Sequence, residues 1–129
     1  MRLKQIRVLA ADFQTSIDFY RNLLGFQVDS IYEELEYALL ATGETRIEIW
    51  TRSEMSKAVG ESIVPSTPPT HSSFVFNLEV DDVDAAYHSL ADKGVKFMAE
   101  PRDFPAWHAR IAHFSDPDGN IIEIYNSLT

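Results

Sequence analysis

One short pattern occurs twice. Ile47-Glu48-Ile49-Trp50 and Ile122-Glu123-Ile124-Tyr125 both read isoleucine, glutamate, isoleucine, aromatic, 75 positions apart. A carboxylate inside an otherwise apolar strand is costly to bury unless water, a partner or a metal meets it. Finding that arrangement twice constrains the chain to a fold made from two copies of one unit.

The segments around each copy agree. TSIDFYRNLLG carries an apolar stripe at Ile17, Tyr20, Leu23 and Leu24, with Thr15 and Asp18 as a capping pair and Gly25 as the stop. DDVDAAYHSLADKG repeats this with Val83, Ala86, Tyr87, Leu90 and Ala91, capped by Asp81 or Asp82 and ended by Gly94. Strand-like runs LKQIRVLA and FVFNLEV precede the two helices. FQVDSIY, LEYALLA and TRIEIWT follow the first; VKFM, HARIAHF and NIIEIYN follow the second. Each half therefore reads β-α-β-β-β. Asp12 and Asp82 lie 70 positions apart, whereas the glutamates lie 75 apart, so the second copy holds about five extra residues in its later loops. The expected fold class is α+β in one domain, with modules at 1–52 and 73–129 joined by a connection at 53–72. SEMSKAVGESIVPSTPPTH, residues 53–71, lacks periodicity and reads as a long loop. Disorder and folding over a ligand are both compatible with it.

Strand alternation assigns faces. Ile6 and Val8, Ile47 and Ile49, Phe74, Phe76, Leu78 and Val80, and Ile122 and Ile124 form apolar faces that suit packing beneath the helices. Opposite them stand Gln5 and Arg7; Arg46, Glu48 and Trp50; Val75, Asn77 and Glu79; and Ile121, Glu123 and Tyr125. That mixture suits a wet concave surface. SDPDGN makes a hairpin turn, with Pro117 and Gly119 at its bends. Continuing the alternation across it sets His108, Arg110, Ala112 and Phe114 on the Glu123 face and His113 on the helix side.

Eleven Lys and Arg against twenty Asp and Glu give a formal charge of −9. Nucleic acid and anionic membranes are poor partners for such a chain. With no cysteine, disulfides and thiolate chemistry are excluded. No apolar run approaches the roughly 20 residues of a membrane span. A cytoplasmic protein is expected, and a secreted one whose signal has been removed fits the same facts.

The runs Asp12–Phe26 and Asp116–Tyr125, DFQTSIDFYRNLLGF and DPDGNIIEIY, resemble the vicinal oxygen chelate superfamily of glyoxalase I, bleomycin resistance proteins and extradiol dioxygenases. The resemblance covers nearly the whole chain apart from residues 53–71. It implies paired βαβββ modules whose mixed sheet curves into a cup with helices outside. It also implies a metal lined by four positions, here Gln5, Glu48, Val75 and Glu123. Valine replaces the usual histidine at position 75. The three oxygen donors Gln5, Glu48 and Glu123 could hold Mg²⁺ or Mn²⁺, or could leave two carboxylates in a solvated pocket. Leu9 and Arg52 stand where glyoxalase I places the arginine and asparagine of its glutathione site. The two histidines of a ring-cleaving dioxygenase are missing.

Glu48 and Glu123 are thus the candidate catalytic residues, as general bases or metal ligands, or else strand acids paired with Arg46 or Arg110. Arg7, Trp50, Val75, Asn77, His108, Arg110, Phe114 and Tyr125 are the candidate ligand-pocket residues. His71 and His88 read as surface residues. The main expectation is a homodimeric binding protein for a small aromatic or cationic compound, with catalysis open. The alternative is a divalent-metal-dependent lyase, isomerase or transferase acting on a small oxygenated substrate.

Overall fold

A computed structural model describes residues 1–59, 64–69 and 72–128. The chain divides into two compact units, Met1–Pro69 and Thr70–Thr129. Among the described residues each holds a four-stranded mixed sheet, and three α-helices accompany the sheets.

In the first unit, β1 (Ile6–Ala10) leads into α1 (Phe13–Ile17), which continues as a π-helical turn over Asp18–Leu23. Strands β2 (Gln27–Tyr32), β3 (Tyr37–Ala41) and β4 (Arg46–Thr51) follow in the sheet order β1-β4-β3-β2. The helix begins where Asp12 accepts a hydrogen bond from the Thr15 amide at 2.8 Å. Asp12 is the cap, one turn before the expected Thr15–Asp18 pair, because its extended backbone presents the carboxylate to the free amides. The helix ends in a wide turn, with the Leu24 amide donating to Phe19 O at 3.0 Å. The next step is Gly25 at φ 79, a left-handed conformation that favours glycine. The wide turn lets the adjacent Phe19 and Tyr20 both be buried, ring against ring at 5.1 Å. Beneath the helix lie Val8, Ala10, Ala38, Leu40, Ile47 and Ile49, all buried.

A helix follows β4 directly. Arg52–Val59 is α2, although its sequence lacks a helical stripe. The Thr51 hydroxyl accepts from the Glu54 amide at 3.4 Å, and Lys57 pairs with Glu54 at 2.8 Å. The start of the expected loop is therefore ordered structure anchored to β4. Residues 60–63, 70 and 71, His71 included, lie outside the described residues.

The second unit runs β5 (Val75–Glu79), α3 (Val83–Asp92), β6 (Arg102–Phe104), β7 (Ala109–Ser115) and β8 (Ile121–Ser127), in the order β5-β8-β7-β6. Asp82 caps α3 through the Ala85 amide at 3.1 Å. VKFM does not form the expected strand. Phe97 makes an isolated bridge to Phe114, and ordered pairing resumes at Arg102. Pro101 intervenes and has no N–H to give a ladder. The core here is Phe76, Val83, Ala112, Phe114, Ile122 and Ile124, with rings of Tyr87, Phe97 and Phe114 in series at 4.6 and 5.1 Å.

The units share a device that the sequence concealed. A 3-10 turn at Glu33–Leu35 ends on Glu36 at φ 51, and one at Pro105–Trp107 ends on His108 at φ 50. From these left-handed residues to the position opposite the glutamate takes three steps in β3, Glu36 to Leu39, but five in β7, His108 to His113. Two of the extra residues of the second copy therefore lie inside a strand and not in a loop.

Candidate functional site

Register decides which side chains accompany each glutamate. In the first sheet, Arg7 and Leu39 flank Glu48, and Leu9 and Tyr37 flank Trp50. All share one face, since laterally paired residues point the same way. Arg7 Nη2 lies 3.3 Å from each Glu48 carboxylate oxygen, and the Tyr37 hydroxyl donates to Glu48 Oε2. The Arg7 guanidinium stands 5.0 Å from the centre of the Trp50 ring, and its Nη1 reaches Met55 Sδ of α2 at 3.6 Å. Trp50 is held in turn by its indole N–H, which donates to Leu35 O at 2.9 Å. The Glu48 side chain is 9% exposed and that of Arg7 37%. Burial first, and then the hydrogen bond to Glu48, push the Tyr37 phenol up to about 12, so it stays a donor across the physiological range.

This is how the chain meets the cost of its first buried acid. Neither Arg46 nor Arg110 pairs with it. Arg46 reaches Asp29 at 3.8 Å instead.

In the second sheet Glu123 is flanked by Asn77 on β5 and His113 on β7. His113 Nε2 lies 2.7 Å from Glu123 Oε2. Tyr125, with Ile111 and Glu79 beside it, and Ile121, with Val75 and Ser115, complete that face. His113, expected on the helix side, is thus the lateral neighbour of the glutamate.

The same register removes Arg110 and Phe114 from the Glu123 face. Phe114 is fully buried in the core against Phe97. Arg110 points toward α3, giving paired bonds to Asp84 at 2.9 Å and a third to Asp103 at 2.9 Å. Those bonds raise Arg110 above its ordinary value and hold Asp84 below the usual carboxylate range. Arg110 braces helix, β7 and β6. His108 closes the 3-10 turn through its left-handed backbone, accepting from the Leu128 amide at 2.7 Å. The physical reason is the length of the hairpin turn: Ser115 pairs with Ile121, so five residues, an odd number, separate the paired ends of β7 and β8. Alternation counted across the hairpin turn carries the wrong parity, and one step of parity turns every side chain to the other face.

Of the remaining candidates, Arg7, Glu48 and Trp50 come together on the first sheet, and Val75, Asn77, Glu123 and Tyr125 on the second. Gln5 precedes β1 and is half-buried. Arg52 is half-buried at the start of α2 and donates to Pro65 O at 3.2 Å. Sequence reasoning missed His113, Tyr37 and Met55. The recurring left-handed residue before β3 and β7 is the signal that corrects the first of these. Nothing local marks the other two.

The donor set does not fit a resident divalent ion. Both Glu48 oxygens are engaged, one of their partners is a guanidinium, and a cation would be repelled there. Val75 offers no donor and is 46% exposed. Glu123 is bonded to His113. Among the described residues no three His, Asp or Glu side chains are grouped to hold a metal.

The family model described as Glyoxalase/Bleomycin resistance protein/Dioxygenase superfamily matches residues 2–124. The chain belongs to this superfamily. Over 128 residues it is 44% identical to the uncharacterized protein YraH of Bacillus subtilis, covering 99% of this chain and 100% of that one. A glyoxalase/bleomycin resistance protein/dioxygenase from Nocardioides has the same fold, with a TM-score of 0.84 at 22% identity, covering 99% of this chain and 84% of that one. TnmS3, an antibiotic binding protein from Streptomyces sp. CB03234, is similar at 26% identity and a TM-score of 0.71, covering 98% of this chain and 96% of that one. Members of the superfamily often bind a divalent metal. No helix among the described residues is long and apolar enough to cross a membrane.

Proposed function

We propose that this superfamily member is a binding protein that holds a small planar organic compound on the Glu48 face of its first sheet and does not transform it. The observation that carries this reading is the condition of Glu48. Arg7 and Tyr37 occupy its oxygens beside Trp50, which leaves an aromatic, ion-paired surface in place of open metal ligands. Flat ligands favour such surfaces because aromatic and guanidinium groups offer large contact area with little flexibility to lose. The likeness to an antibiotic binding protein and to the bleomycin resistance group supports the same reading.

The test is a calorimetric titration with planar aromatic antibiotics, followed by mass analysis of the recovered compound. Saturable binding with unchanged mass is expected. Conversion of the compound, or a stoichiometric metal ion lost in Glu48→Gln or Glu123→Gln, would overturn the reading. Superfamily members often dimerise, and a homodimer is part of the proposal, measurable by light scattering.

One observation favours a second reading as an enzyme, a lyase, isomerase or transferase of a small oxygenated compound. The His113–Glu123 pair at 2.7 Å has the geometry to take up and pass a proton. Turnover lost in both His113→Phe and Glu123→Gln would support it.

A further inference from the structure

Glu48 and Arg7 form an ion pair, but a ligand does not meet its two halves equally. The carboxylate side chain is 9% exposed, with both oxygens engaged by Arg7 and Tyr37. The guanidinium side chain is 37% exposed. It is held on three sides, by Glu48, by the Trp50 ring at 5.0 Å and by Met55 Sδ at 3.6 Å. A cationic ligand would have to displace Arg7 or Tyr37 to reach the acid. An anionic one need only approach the open side of a cation already fixed in place.

The electrostatics of the whole chain run the other way, with a formal charge of −9. That field is screened within about 10 Å at 0.1 M salt, so the group in contact decides the preference. A guanidinium backed by an indole also offers a flat face for stacking as well as N–H donors for an oxyanion.

We propose, building on the binding reading above, that the compound held on the first sheet is a planar aromatic anion, and that the exposed side of the Arg7 guanidinium, backed by Trp50, selects it. Arg7 is then the specificity-determining residue. Glu48 competes with the ligand for Arg7 while holding the guanidinium in position.

Three probes of one shape test this by fluorescence polarisation: 1-pyrenecarboxylate, 1-pyrenecarboxamide and 1-pyrenemethylammonium. The carboxylate should bind tightest, about tenfold better than the ammonium. Arg7→Gln should abolish the order. Arg7→Lys, which keeps the charge and loses the flat fork, should retain only part of it. Glu48→Gln should tighten the carboxylate severalfold by removing its competitor, an outcome that a merely structural role for the pair would not produce. Circular dichroism and melting of each variant confirm that it is folded, and Glu48→Gln, which keeps Arg7, serves if Arg7→Gln does not fold. Equal or tighter binding of the ammonium, or an unchanged order in Arg7→Gln, overturns the inference while leaving the binding reading standing. Failure of all three probes to bind overturns both.

Discussion

The two sheets place a glutamate at the same point of the same strand and then treat it differently. In the first, Glu48 has Leu39 beside it on β3 and is met by Arg7 from β1 and Tyr37 from further along β3. In the second, Glu123 has Asn77 beside it on β5 and is met by His113 from β7. The repeated strand supplies the position of the acid. Neighbouring strands supply its chemistry, and those strands have diverged in composition and in length. A fold-level repeat therefore does not imply a functional repeat. Here one acid is locked into a pair with a guanidinium, and the other faces an imidazole.

The comparison breaks most visibly at the positions facing the helices. Leu40 and Phe114 are equivalent, each paired with the isoleucine that precedes its glutamate, and each fully buried. Leu40→Ala and Phe114→Ala should each cost about 2–5 kcal/mol in denaturant melts. If Phe114 instead faced a ligand, its truncation would be tolerated in the melt and felt in binding.

A smaller effect is expected at Arg110, whose brace has no counterpart in the first sheet. Arg110→Met should lower the melting temperature by less than either core truncation, since three charge-assisted bonds are lost at a partly exposed site. Ligand affinity measured on the same variant should stay unchanged. A large loss of affinity with the fold intact would return Arg110 to the ligand side.

Tyr37 sharpens the contrast between the two acids through pH. Its folded phenol is raised from 10.0 to about 12, so the folded state keeps a proton that the unfolded state releases. That contribution is complete below pH 10 and is lost as pH rises toward 12. Discounted for solvent access, it amounts to about 1 kcal/mol. Tyr37→Phe should remove this part of the alkaline destabilisation between pH 10 and 12 when melting is followed across that range. An unaltered alkaline profile in the variant would mean that Tyr37 does not hold Glu48.

The smallest expected difference lies at the helix starts. Asp12 and Asp82 each accept a backbone amide of the first turn, so Asp12→Ala and Asp82→Ala should each lower the melting temperature slightly, Asp12→Ala the more. The Thr15 hydroxyl also donates to Asp12, at 2.6 Å. That bond and the amide bond hold the Asp12 carboxyl below its usual range, so its part of the stability is lost as pH falls through the folded value. A cost at Asp12 no greater than that at Asp82 would show that the hydroxyl bond adds nothing.

What could be read from residues alone follows a division between local and lateral information. The helices, their glycine stops and the SDPDGN turn are local, because caps and turns are satisfied by groups a few residues away. The Asp116 side chain accepts from the Asp118 and Asn120 amides at 2.9 and 2.8 Å, within the turn itself. Alternation along a single strand is local too, and it set Glu48 with Trp50 and Glu123 with Tyr125. Alternation carried from one strand to the next is not local. It depends on how many residues separate the paired ends of two strands, and between Ser115 and Ile121 that number is five, which is odd. For that reason Arg110 and Phe114 were expected on the wrong face and His113 went unrecognised.

By itself, then, the sequence determined two βαβββ copies, the superfamily they belong to, and a buried acid in each. The tertiary structure alone decided which groups meet those acids. Arg7 and Tyr37 lie 41 and 11 positions from Glu48, and His113 lies 10 from Glu123. At such separations a partner is chosen by strand pairing and not by spacing along the chain, and strand pairing exists only once the sheet has formed.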